Sequence, residues 1–249
     1  MLDNVSLENL LVIDIETVPQ TDDFKSLPGD MQELWGQKVR RMLGEGEDLA
    51  EHYFEKAGIY AEFGMVVCIS AGFFRKSEQE GRLTFKVKSF ASRVEKQVLT
   101  EFKELLDRSY NMPEKHALCG HNIKEFDVPY LCRRMLINGL ELPKILDLAG
   151  RKPWEVQHVD TMQLWKFGDV KNYTSLKLLA TVFNLPTPKD DIDGSDVARV
   201  FWKENDLARI VHYCQKDVIA VAQLFLKFKG LPLLKPEDIL YADNSVNTL

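Results

Sequence analysis

The chain has 249 residues, a formal net charge of −6, 45% hydrophobic and 28% charged residues. This length suits one large α/β domain or two small ones, and the composition is that of an ordinary folded globular protein. The negative charge argues against holding nucleic acid by bulk electrostatics alone. No apolar run approaches the ~20 residues of a membrane span and no signal-like start is seen, so the expectation is a cytoplasmic protein without membrane contact.

In chain order, residues 9–16 (NLLVIDIE) are short, apolar and β-branched, which predicts a buried strand ending in two acids. Residues 19–63 are charged and patterned like helices, with glycines at 29, 44, 46 and 58 as breaks, and read as a helical insertion. Residues 65–74 predict a second buried strand and residues 82–90, which alternate in polarity, a third. The polar turn 77–81 makes these two a hairpin. Apolar positions within 94–110 recur at helical spacing. Residues 116–120 predict a fourth strand, 128–136 a helix opened by Pro129, and 156–161 a short fifth strand. Helices are expected at 175–184, about 195–202 (with Ser195 as cap) and 207–228, and an irregular tail after Pro232. Strands followed by alternating helix and strand predict a mixed sheet flanked by helices. No repeat or linker is visible, so one domain over 1–249 is the economical reading.

Three sequence elements carry candidate chemistry. Asp14 and Glu16, two apart on a strand, share one face. Two carboxylates that close repel unless a cation neutralises them, and an oxygen-only site suits Mg²⁺ or Mn²⁺. Taken alone, the pair also reads as a plain strand-to-loop exit. Asp127 falls near the start of the helix opened by Pro129, where, taken alone, capping is the better explanation. Tyr213 and Asp217 are at i and i+4, on one face of the last long helix.

Together, Asp-x-Glu on strand one (Asp14, Glu16), Asn-x-x-x-Phe-Asp (Asn122, Phe126, Asp127) and Tyr-x-x-x-Asp (Tyr213, Asp217) resemble the DEDD superfamily of 3′→5′ exonucleases. The pattern is closest to the proofreading-exonuclease domain of family-B DNA polymerases and to stand-alone bacterial proteins predicted to be exonucleases of that type. The resemblance runs from about residue 9 to residue 228 and takes in the Ser175-Leu176 helix start. It implies an RNase H-like fold, a mixed five-stranded sheet flanked by helices. It implies two divalent metal ions, Mg²⁺ or Mn²⁺: Asp14, Glu16 and Asp217 hold one, while Asp14 and Asp127 hold the other. One metal lowers the pKa of a bound water, Tyr213 orients that water, and attack on the terminal phosphodiester releases a nucleoside 5′-monophosphate. Asn122 and Phe126 correspond to positions near the terminal nucleotide. The implied partner is a single-stranded nucleic acid 3′ end, with DNA favoured over RNA by the family context and a polymerase or repair partner left open. The 19–63 insertion is not part of the family pattern.

His212, next to Tyr213, fits the His-x-x-x-x-Asp form of a sister branch in which histidine is a general base. Adjacent helical residues point about 100° apart, so only one can serve. The Tyr-Cys-x-x-Asp-Val context favours tyrosine, with His212 the alternative. Competing readings are a ribonuclease D-like RNA trimmer, a non-catalytic nucleic-acid-binding protein on the same fold, and a metal-dependent phosphatase on small substrates. Asp160 reads as structural, and Asp190 to Gly194 lacks the ligand spacing of a calcium loop. The basic groups Lys38-Arg40-Arg41, Arg133-Arg134 and Arg151-Lys152 read as solvated faces. Cys68, Cys119, Cys132 and Cys214 form no Cys-x-x-Cys pair, and buried free thiols are expected, chiefly at Cys68 and Cys119.

Overall fold

The computed structural model describes residues 2, 5–44, 46–76, 81–169, 171–186 and 192–242. The apolar segment at the start becomes β1 (Leu10–Pro19), and its alternation sorts two cores. Leu11, Ile13 and Ile15 face one side of the sheet, where α3 (Glu95–Ser109) and α4 (Asp127–Ile137) supply Leu99, Phe102, Val128, Tyr130 and Leu131. Leu10 and Val12 face the other, against Val218, Val221, Ala222 and Phe225 of α8 (Leu207–Phe228). Both faces of the central strand are therefore covered, as its continuous apolar run requires.

β2 (Gly64–Lys76) pairs antiparallel with β1, and β3 (Leu83–Ala91) pairs antiparallel with β2, in the hairpin that the sequence predicts. Residues 77–80 of its turn lie outside the described residues. β4 (Ala117–Gly120) runs parallel to β1, and β5 (Val159–Asp160) parallel to β4. These are the five expected strands of the mixed, helix-flanked sheet. A sixth, β6 (Ile239–Tyr241), adds parallel to β3, so the order is β5-β4-β1-β2-β3-β6. The tail was expected to be irregular. Three residues carry no readable alternation, but the free edge of β3 offers unpaired backbone groups that they satisfy.

The insertion forms α1 (Gly29–Val39) and α2 (Leu49–Lys56), so Gly29 opens a helix instead of breaking one. The two enclose their own aromatic core, with Trp35 edge-on to Tyr53, Tyr60 and Phe63. This unit closes over the end of β1: the Gly58 carbonyl accepts the Tyr130 hydroxyl, and a Cβ at Gly58 would lie 3.3 Å from the backbone of Thr17 and Val18. Next come α5 (Thr161–Lys166) and α6 (Leu176–Val182), the latter capped by Ser175. The helix expected near 195–202 is one α turn, α7 (Val197–Arg199), running into a π turn (Val200–Glu204) that left-handed Asn205 ends. Ser195 does not cap it: its N–H and hydroxyl both bond the Asp193 carboxylate, because an Asp two residues back closes its own turn first. Asp190 and Asp191 lie outside the described residues.

Candidate metal centre and active site

Asp14 and Glu16 continue the face that Leu10 and Val12 begin, so they project toward α8. They do not sit at the strand end, as the sequence suggested, because β1 runs on to Pro19 past an irregularity between Glu16 and Thr17. Directly opposite them on β2 are Ser70 and Cys68. Ser70 bonds Ser89 of β3 at 2.8 Å, and Gln215 of α8 donates to the same Ser89 hydroxyl at 3.0 Å. A buried polar row thus crosses three strands behind the acids.

α8 supplies the opposing wall. Cys214 is buried, and its thiol lies 3.4 Å from both the Asp14 carboxylate Oδ2 and the Asp14 carbonyl. Among the described residues, Asp14, Glu16 and Cys214 offer three ligand atoms that all lie within 4.8 Å of one another. One turn on, Asp217 is close enough for its charge to raise the pKa of both Asp14 and Glu16. Tyr213 is half-buried beside the Val200–Leu207 cluster, whereas His212 is exposed.

Asp127 comes from the opposite side of the sheet. It is the first residue of α4 and is buried, and its carboxylate accepts the backbone N–H of Ile15. The turn before it is tightly built. A Cβ at Gly120 would lie 2.8 Å from Ile123, so the chain turns there only with glycine, and Asn122 takes a left-handed φ of 66°. The Asp160 carboxylate accepts the N–H groups of Asn122, Lys124, Met162 and Gln163, which ties that turn to the start of α5 and gives the structural role read from its position. Asn122 Oδ1 is buried without a hydrogen-bond partner, and Phe126 packs against Tyr130.

Crowding sets the electrostatics. Burial, then Asp217 and Asp127, raise the Asp14 carboxyl well above its ordinary value; burial, then Asp14 and Asp217, do the same to Glu16. Burial chiefly lifts Asp127 to about 7, with Asp160 and Asp217 adding to it and backbone N–H donors opposing. Hard oxygen donors held together at this cost fit a divalent cation, which favours their charged forms. The structure therefore draws Asp14, Glu16 and Asp217 to one face of β1 and brings Asp127 within charge range of them.

Cys214 was not singled out from sequence as part of this group. Its position between Tyr213 and Asp217 was a usable signal. Arg134 corrects the reading of Arg133-Arg134 as a solvated face. It is buried, bonds Glu95 through Nε at 2.8 Å and Nη2 at 2.5 Å, and holds the Ala61 carbonyl at the base of the insertion. The four cysteines are free, and Cys132 alone of them is only part-buried.

Residues 59–234 match the family described as predicted 3′-5′ exonucleases related to the exonuclease domain of PolB. The chain belongs to this family. The match covers Asn122, Phe126, Asp127, Tyr213 and Asp217, while Asp14 and Glu16 precede it. No curated protein sequence matches. Among solved structures, the chain is similar to a family B DNA polymerase from the hyperthermophilic archaeon Pyrobaculum calidifontis, at 18% identity and a TM-score of 0.49, over 88% of this chain and 24% of the polymerase. Among the described residues no helix is long and apolar enough to cross a membrane.

Proposed function

We propose that this protein hydrolyses the terminal phosphodiester at the 3′ end of single-stranded DNA and releases nucleoside 5′-monophosphates. Asp14, Glu16, Asp127 and Asp217 hold two divalent cations, Mg²⁺ or Mn²⁺, as the sequence pattern suggests. When bound, these supply Lewis-acid polarisation of the phosphate and acidify water at neutral pH. The observation that carries the reading is the convergence of Asp14 and Glu16 from β1, Asp217 from α8 and Asp127 from α4 into one acidic group in which Glu16 and Asp127 are buried and Asp14 and Asp217 half-buried. Such a group is costly unless a cation is its purpose.

The protein's own residues position the reactants. The Tyr213 hydroxyl orients the attacking water; the half-burial of Tyr213 and the exposure of His212 favour this assignment. Asn122 and Phe126, at the turn before Asp127, hold the terminal nucleotide. The unpartnered, buried side-chain oxygen of Asn122 supports such a role, because it carries a free-energy cost that a ligand contact offsets. DNA is preferred on the resemblance to polymerase proofreading domains.

The test uses matched single-stranded DNA and RNA oligonucleotides labelled at the 5′ end, with Mg²⁺, Mn²⁺ or EDTA. Stepwise shortening of DNA that needs metal and disappears in Asp14→Ala is expected. Faster trimming of RNA would move the assignment to an exoribonuclease. Binding without shortening would leave a non-catalytic nucleic-acid-binding protein.

A further inference from the structure

The loop between α5 and α6 carries two large aromatic rings that stand exposed among the described residues. Phe167 is 74% exposed and Tyr173 is 68% exposed. Phe167 also ends α5 in a left-handed backbone (φ 43°), a place where glycine or asparagine is usual and a bulky residue is strained. An exposed ring on a strained backbone adds nothing to the core, and such outliers gather where a surface has a task.

The loop is fastened to the active-site turn. The His121 ring bonds Thr161 Oγ1 at 2.9 Å through Nδ1 and the Thr174 carbonyl at 2.8 Å through Nε2, so one side chain joins the start of α5 to the far end of the loop. His121 directly precedes Asn122, and Tyr173 directly precedes Thr174. The end of the loop that carries Tyr173 is therefore tied to the turn that leads into Asp127. The segment that carries them is basic in an acidic protein: Lys166, Lys171 and Lys177 accompany a single acid, Asp169, within residues 166–177 of a chain whose net charge is −6.

Building on the exonuclease reading above, we propose that Phe167 and Tyr173 form a stacking shelf for the nucleotides just upstream of the 3′ end, with the neighbouring lysines meeting the backbone phosphates. Exposed aromatic faces with flanking cations are what a single strand needs, and base stacking tolerates any sequence because every base has a π-face. A strand gripped behind its terminal nucleotide stays in place after each cleavage, so the shelf governs how strongly and how processively the strand is held, not the chemical step.

Phe167→Asn keeps the left-handed backbone and Tyr173→Ser keeps the exposed loop polar, so the double variant should fold as the parent does, which its thermal melt checks. For a ten-nucleotide single strand, the expected result is a KM raised by roughly tenfold or more with kcat nearly unchanged, from a stacking loss worth about 5- to 150-fold per base. A dinucleotide, too short to reach the shelf, should be cleaved equally by both proteins, and Tyr173→Trp should bind the longer strand at least as well as the parent. Equal KM values for the ten-nucleotide strand in parent and double variant overturn the shelf, as does an equal loss on the dinucleotide. Fluorescence anisotropy with the same oligonucleotide and Ca²⁺ separates the two readings. If the parent binds but does not cleave, and the double variant binds much more weakly, the exonuclease reading fails and the shelf stands. If the parent neither binds nor cleaves single strands, both fail.

Discussion

Replacing Asp127 by asparagine separates the cost of this carboxylate to folding from its use in the site. Burial above all, with the nearby charges of Asp160 and Asp217, lifts its pKa to about 7 from the ordinary 3.8. A carboxyl whose folded pKa lies above its unfolded one contributes stability below about pH 4 and loses it as pH rises through about 7. At full ionisation that difference is on the order of 4 kcal/mol. Asparagine carries no charge and its Oδ1 can still accept the Ile15 N–H, though less strongly than a carboxylate. In metal-free buffer at pH 8 we expect Asp127→Asn to be more stable than the parent by ~2 kcal/mol, or ~4–8 °C in Tm for a chain of this size. At pH 4 the gain should nearly vanish. Mg²⁺ should then reverse the order at pH 8 by raising the Tm of the parent more than that of the variant. Calorimetric scans of both proteins at pH 4, 6 and 8, with EDTA or with Mg²⁺, give these comparisons. A variant that loses stability equally at pH 4 and pH 8, with the same Mg²⁺ response as the parent, refutes the reasoning, because Asp127 would then be only a structural acceptor for Ile15 and α4.

Three further predictions address other parts of the site and its support. Tyr213→Phe should lower kcat by roughly 10²-fold while His212→Ala stays near the parent, and single-turnover rates on a labelled strand would expose the opposite pattern. Cys214→Ala removes the thiol beside the Asp14 carboxylate and should raise the Mg²⁺ concentration for half-maximal activity by roughly two- to fivefold, with Cys214→Ser closer to the parent; equal Mg²⁺ titrations would deny the thiol a positioning role. Arg134→Ala leaves Glu95 buried against Val66 and Asn138 without its cation, and urea unfolding should register a loss of about 3–5 kcal/mol, part of which Glu95→Gln restores in the double variant.

The elements legible in the sequence are those with a strong local period. Leu10 to Glu16 fixes both the strand and the face its acids share, and Tyr213 and Asp217 one helical turn apart fix their common direction. What was hidden depends on distant chain. β1 runs past Glu16 because Gly64, Met65 and Val66 pair with its last three residues, and those partners lie beyond a long insertion. β6 exists because β3 has an edge to fill. Arg134 sits beside another arginine and looks solvated, yet Glu95 on a different helix and the Ala61 carbonyl hold it inside. Cys214 gains meaning only from Asp14, two hundred positions away.

The shortness of β4 explains why acids from both sides of the sheet meet. Its pairing with β1 covers Leu10, Leu11 and Val12 and then stops, whereas β2 continues alongside β1 as far as Pro19. Beyond Val12 the β4 side of β1 is an open edge, and the Ile15 N–H on that edge has no strand to receive it. An unpaired buried donor is costly, and Asp127 at the start of α4 takes its place. The α4 side of the sheet thereby delivers a carboxylate to the rim, while Asp14 and Glu16 reach the same region from the α8 side by alternation. Gly120 turning away at the end of β4, with Asp160 holding the backbone of the turn, makes that gap. A longer β4 would satisfy the Ile15 N–H by itself and leave Asp127 on the wrong side of a closed sheet.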